Sequence, residues 1–243
     1  MRNDKKQEKR VTSEFDHSGH RERLREEFLK NGAEKMRDYE ILEFLLFYCI
    51  PRKDTRPIAR RLLNKFGSLS AVLDASVNEL VEVEGVGRNS AALLSLLPSL
   101  AGRYLTDGKT EKKAMLCDHE KLADYLAGYF VGKCTECFFV LCMDGARRPI
   151  RCELLNEGEE YNVVVNVRRM GLIVAESKAA YVAVAHNHPL SSSVPSAADV
   201  ELTQKIADVV SALGAQLVDH LIFGTDGDFS MANSGFYYSR YFR

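Results

Sequence analysis

The chain has 243 residues, 46% hydrophobic and 28% charged, with a formal net charge of −1 at pH 7. That balance belongs to a globular chain with room for one large domain or two small ones; it excludes a disordered or fibrous protein and gives no global pull toward nucleic acid. No apolar run is long enough to span a bilayer and no secretory signal is recognisable, so no membrane contact and a cytoplasmic location are expected.

Residues 1–16, MRNDKKQEKRVTSEFD, are almost wholly polar and without periodicity, which predicts a disordered leader. From Gly19 the segment HRERLREEFLKNG carries Leu24 and Phe28 four apart and ends at Gly32, the pattern of a helix with its stop. YEILEFLLFYCI follows, apolar nearly all round, and predicts a buried helix that ends before Pro51. PRKDTRPIARRLLNKFGS then brings six basic residues, Arg52, Lys53, Arg56, Arg60, Arg61 and Lys65, against the single acid Asp54. NELVEVEGVGRNSAALLSLL reads as helix, Gly85-Val86-Gly87, helix, and resembles a helix-hairpin-helix motif. Ile50-Pro51-Arg52 stands in the hairpin's place in a degenerate first copy. Glycines turn the backbone tightly and bring the N–H groups of a helix start close to an anion, so Gly85, Gly87 and Arg88 are candidate contacts to DNA phosphate, without base readout. The competing reading is a pair of plain helix turns, with Gly85 as a C-cap, the arginines on a solvated face, and Glu82 and Glu84 opposing phosphate. An all-α domain is therefore expected over 17–105, and the polar, Gly-containing stretch 106–114 is expected to be a linker.

The second domain, 115–243, alternates less regularly. EKLADYLAGYF predicts a helix; ECFFVLCMD and PIRCELLNEG predict strands joined at Asp144-Gly145; NVRRMGLIVAES predicts a helix. AAYVAVAHN reads as a strand, SAADVELTQKIADVVSALG as a helix closed by Gly214, and QLVDHLIFG and DFSMAN as strands around a Thr-Asp-Gly turn. Without strict βαβ alternation this is an α+β sheet with helices packed on it. The final FYYSRYFR is aromatic and basic and fits docking on the domain or on a partner. The six cysteines, at 49, 117, 134, 137, 142 and 152, are expected as reduced thiols. Cys134 and Cys137 lack the second close pair that a zinc knuckle needs, and CFFVLC reads as a core strand, so they are expected to pack.

The chemistry concentrates in HNHPLSSSVPSAAD, residues 186–199. It follows the apolar strand YVAVA, and alternation puts His186 and His188 on one face, two imidazoles aimed at one point. Two nitrogens suit a borderline-soft divalent cation. Asp199, at the start of the next helix, could return as an oxygen ligand; three protein ligands leave a position open, the mark of a catalytic zinc site. The plain alternative is that Ser196 and Asp199 merely cap that helix, at S-x-x-D spacing.

The pattern H-x-H, seven residues, S, two residues, D, here His186, His188, Ser196 and Asp199, resembles the JAMM signature of MPN-type metallopeptidases. HNHP, PSAAD and LVDHLIFG resemble its RadC-like bacterial branch, over about Gly19 to Phe229; Leu190-Ser191 replaces the usual Ser-Gly. The resemblance implies an α/β/α MPN domain after a small helix-hairpin-helix domain, one Zn²⁺, and hydrolysis of a peptide or isopeptide amide bond in a protein substrate. It implies a general base on an earlier strand, matched at Glu153 five residues before Gly158, with Glu157, Glu159 and Glu160 as rivals. It gives Ser196 a hydrogen bond to the oxyanion or the reacting water while it caps its helix. His220 recurs in the pattern, and a structural role is expected for it. A DNA-associated repair or scaffold protein with an idle metal domain is the alternative. A two-metal nuclease would need a second carboxylate-rich site, which does not appear.

Overall fold

A computed structural model describes residues 19–110, 115–158 and 166–236. The leader at 1–16, bridge residues 111–114, Glu159, Glu160 and all of FYYSRYFR after Phe236 lie outside the described residues. The chain divides into two compact units between Pro98 and Ser99. That division falls inside a helix running Arg88–Thr110, so residues 106–110, expected as linker, are helical. Gly108 does not end the helix, since an internal glycine costs only about 1 kcal/mol against alanine.

The first unit is all-helical. α1 covers residues 19–31 and a 3₁₀ turn Ala33–Lys35 follows. Then come α2 Asp38–Cys49, α3 Arg56–Phe66, α4 Leu69–Asp74, α5 Val77–Val81 and the start of α6, Arg88–Thr110. Leu42 and Leu46, one turn apart on α2, meet Ile58 and Leu62 of α3 in a core closed by Val72, Leu80, Val83, Val86 and Leu94. The short helices rely on caps: Ser68 Oγ accepts from Ala71 N, and Ser76 and Glu79 form a capping box. Glu43, inward-facing on α2, is buried and held by His20 at 2.9 Å, with Arg56 Nε at 3.8 Å. A buried carboxylate needs such partners to offset its lost hydration. Between α5 and α6 the backbone turns at Gly85, φ +96°, where a Cβ would meet Ile58 at 2.9 Å; glycine is required there. Gly87 has open space around it, and Arg88, the first residue of α6, is exposed.

The second unit is a five-stranded sheet between helical layers. Its elements are α7 His119–Phe130, β1 Glu136–Met143, β2 Pro149–Gly158, α8 Val167–Ser177, β3 Tyr181–Asn187, α9 Ala197–Ala212, β4 Gln216–Gly224 and β5 Gly227–Ser230. The strand order is β2-β1-β3-β4-β5, with β3 and β4 parallel and the other neighbours antiparallel. The parallel pair is joined through α9, as a parallel pair requires a crossover. Strand alternation splits the core in two. Phe138, Val140, Cys142, Val182 and Val184 face Met170, Ile173, Val174, Ile206 and Val210 of α8 and α9. Leu141, Met143, Ala183, Ala185 and Val218 face Leu122, Tyr125 and Leu126 of α7. Cys137 and Cys142 are buried in β1, and burial pushes the Cys137 thiol up to about 11. No described helix is long and apolar enough to cross a membrane.

Candidate metal centre

The site forms at the end of the α8/α9 face, where β3 stops and α9 begins. On β1, Phe138 lies opposite His186 of β3. Opposed residues in an antiparallel pair share a face, so continuing the register by two residues brings Glu136 opposite His188 on that same face. The ligand atoms of Glu136, His186 and His188 lie within 4.8 Å of one another. His186 Nε2 and His188 Nε2 are 3.0 Å apart. Asp199 reaches in from the first turn of α9, Oδ1 at 3.3 Å from His186 Nε2 and Oδ2 at 3.9 Å from His188 Nε2.

Local hydrogen bonds aim these groups. His188 Nδ1 is 2.8 Å from the Ser192 carbonyl, which can only accept, so Nδ1 carries the hydrogen and Nε2 keeps its lone pair. The backbone N–H and hydroxyl of Ser196 donate to Asp199 Oδ2 at 2.8 and 2.7 Å, leaving Oδ1 turned toward His186. Ser196 thus caps α9 and orients Asp199 at once, so capping the helix does not turn Asp199 away from the histidines. Two imidazole nitrogens at 3.0 Å need a shared proton or a shared cation, and the carboxylate beside both favours a cation. Burial pushes His186 down to about 4, against Asp199 and aided by His188, so the ring is neutral at neutral pH as a ligand must be. Burial raises the half-buried Glu136 carboxyl, with His188 opposing and Asp199 adding to the shift.

Glu153 takes a different place from the one the family pattern suggested. It sits on β2 opposite Val140, ion-paired with Arg151, which also reaches Glu176 at 3.2 Å. Its strand is on the far side of β1 from β3, whereas Glu136 is on the strand that pairs with β3. Glu157, the described rival, pairs with Lys133 at 3.0 Å. Glu136 therefore replaces Glu153 as the carboxylate beside the histidines. The sequence marks Glu136 only as an acid that opens a strand with apolar same-face neighbours, Phe138, Val140 and Cys142, all of them buried; it does not say that this strand is the one beside the histidines. Of the other sequence candidates, Gly85, Gly87 and Arg88 belong to the first unit.

The loop after His188 is fixed on the β4–β5 turn. Thr225 N donates to Ser191 O at 2.9 Å, Ser193 N to Asp226 Oδ1 at 2.7 Å, and His188 N to Phe223 O at 2.7 Å. Leu190 nonetheless stands 86% exposed beside the site. Gly224 makes this packing close: a Cβ there would sit 2.5 Å from Ser192 C and 2.8 Å from Ser193 Cα, both backbone. Gly224→Ala should therefore push the Ser192 carbonyl off His188 and destabilise the protein by about 1–3 kcal/mol, as overpacking does. Thermal melting combined with metal titration checks this; an unchanged Tm and unchanged metal affinity would refute it.

The comparisons with known proteins cover both units. A model of the RadC-like JAB domain matches residues 116–236, and a model of the UPF0758 N-terminal domain matches residues 16–92. A UPF0758 protein of Fusobacterium nucleatum is 40% identical over 231 residues, covering 92% of this chain and 99% of the relative. UPF0758 proteins of Ruegeria pomeroyi and Rhodobacter capsulatus are 36% and 37% identical, covering 89% and 87% of this chain and 96% and 99% of the relatives. With both family domains matched in order and such identity spanning most of its length, this chain belongs to the RadC-like UPF0758 family, a helical N-terminal domain followed by a JAB domain of MPN type.

Proposed function

We propose that the protein is a zinc-dependent hydrolase of peptide or isopeptide amide bonds. The observation that carries this reading is the convergence of His186, His188 and Asp199 with a fourth residue beside them, the half-buried acid Glu136. The two imidazoles and Asp199 would hold the ion, a nitrogen and oxygen set that suits Zn²⁺ and leaves a coordination position open. A zinc ion there supplies Lewis acidity toward water and toward a substrate carbonyl. Glu136 takes the proton from the attacking water and returns it to the leaving amine; burial keeps its carboxyl above the usual range, nearer the pH at which both transfers are efficient. Ser196 locks the Asp199 carboxylate, and the Ser192 carbonyl fixes the His188 tautomer. The test is metal analysis of the purified chain together with cleavage of a peptide library. About one zinc per chain and metal-dependent cleavage are expected; zinc without cleavage would favour a scaffold with an idle metal domain.

A second reading concerns the first unit, where Gly85 at φ +96° and the open space at Gly87 favour close approach of a DNA phosphate to the start of α6. Lys65–Glu82 at 2.8 Å and Arg61–Glu84 at 4.0 Å offset part of the positive charge beside the turn. Binding should accordingly be weak, independent of sequence and steeply salt-dependent. Gly87→Val fits the open space without straining the fold and should weaken binding to every duplex alike. Gel-shift titration of the full chain at low salt checks it, and no detectable binding leaves the motif a helix turn.

A further inference from the structure

We infer that Thr203 and His220 determine which nitrogen of His186 carries the hydrogen, and so present its Nε2 to the metal centre as a bare acceptor. The inference deepens the zinc reading and rests on it for its effect on affinity, though not for the tautomer itself. His186, His220 and Thr203 are all buried, so water cannot serve as their missing partner. They form one chain of short contacts. His186 Nδ1 lies 2.8 Å from His220 Nε2, His220 Nδ1 lies 2.6 Å from Thr203 Oγ1, and Thr203 Oγ1 lies 2.6 Å from the backbone carbonyl of Asp199.

The hydrogens follow from the carbonyl end. The Asp199 carbonyl can only accept, so the single hydroxyl hydrogen of Thr203 points to it. Met231 Sδ, 3.3 Å from the same hydroxyl, is the weaker acceptor. With its hydrogen committed, Thr203 Oγ1 accepts from His220 Nδ1–H. A neutral His220 is then bare at Nε2 and takes the Nδ1–H of His186, and a neutral His186 is bare at Nε2. In the reverse order Thr203 would donate to His220, leaving two oxygens 2.6 Å apart with no hydrogen between them. His186 would then turn an N–H toward the centre and exclude a cation.

Phe138 holds the ring planes, stacked on His186 at 5.8 Å and 8° and edge-on to His220 at 5.5 Å. Both histidine ligands are thus set by backbone carbonyls, His188 directly by Ser192 and His186 through two side chains by Asp199. Thr203 and His220 are positioning residues. The first turn of α9 supplies the Asp199 carboxylate to the centre and the Asp199 carbonyl to the head of the chain.

The experiment compares the full-length protein with Thr203→Val, which keeps the shape and removes the hydroxyl, and with Thr203→Ser, which restores it. Two-bond ¹⁵N–¹H spectra of metal-free protein report the His186 tautomer, and competition with a chromophoric chelator reports zinc affinity. Wild type and Thr203→Ser should carry the hydrogen on His186 Nδ1. Thr203→Val should lose that preference and bind zinc about 10–100-fold more weakly, the usual effect of removing a group that orients a ligand. A wild-type His186 protonated at Nε2, or Thr203→Val with wild-type affinity, would overturn the inference. If wild type bound no zinc, the zinc reading would fail while the nitrogen spectra still decided the tautomer; those spectra decide it equally if Thr203→Val does not fold.

Discussion

Glu136→Gln is expected to lower amide hydrolysis about 10²–10⁴-fold while bound zinc stays near one per chain, because it removes the proton acceptor and none of the three proposed ligands. Gln keeps the size and polarity of Glu136, so the start of β1 should hold its register against β3. Glu153→Gln makes the comparison. Glu153 pairs with Arg151 on β2, away from the histidines, and its neutralisation should leave turnover and zinc little changed. Steady-state rates on a cleaved peptide, with metal content measured on the same samples, separate the two carboxylates. The assignment fails if Glu153→Gln abolishes turnover while Glu136→Gln does not. If Glu136→Gln lost its zinc, Glu136 would be a ligand and the base would have to be sought elsewhere.

The second large effect is on the metal itself. His186→Ala should take zinc from about one per chain to near none, since the two remaining ligands hold it poorly. It should also weaken the metal-free protein, because His186 is buried against Phe138 and supplies the hydrogen-bond partner of His220 Nε2. A buried polar group left without a partner costs about 1–3 kcal/mol. His188→Ala should lose zinc equally but cost the apoprotein less, since that ring is only partly buried and its removal, which frees the Ser192 carbonyl and His186 Nε2, leaves both beside the more open side of the site. Metal content and denaturant unfolding of apoprotein, measured on both variants, check the pair. Full zinc occupancy in a protein lacking both histidines would refute the site and return attention to the cysteines.

Much of this arrangement is written in short stretches of sequence. His186-x-His188 after YVAVA specifies two side chains on one strand face, because alternation is a property of any extended chain. Ser196-x-x-Asp199 specifies a helix start, because capping is completed within four residues. Gly85, with its forced positive φ, and the strand and helix sequence of the second unit are legible for the same reason: each depends on neighbours a few positions away. The helix through residues 106–110 is not legible in composition, because polarity and one glycine weaken a helix without ending it.

Residue order and spacing are enough to specify the α+β class, the two histidines, and Asp199 in the first turn of the following helix. Which acid joins them and what orients them depend instead on how the strands and helices pack. Glu136 and Glu153 both lie on strands that precede the histidines, and neither strand's own pattern tells which one pairs with β3; that depends on strand order and register, set by the packing of both sheet faces. His220 likewise reads as one buried residue in an apolar strand. Its link to His186 exists because β4 pairs in parallel with β3 while α9, carrying Thr203, crosses over the same face, a contact between segments 17 and 34 residues apart that no local periodicity encodes.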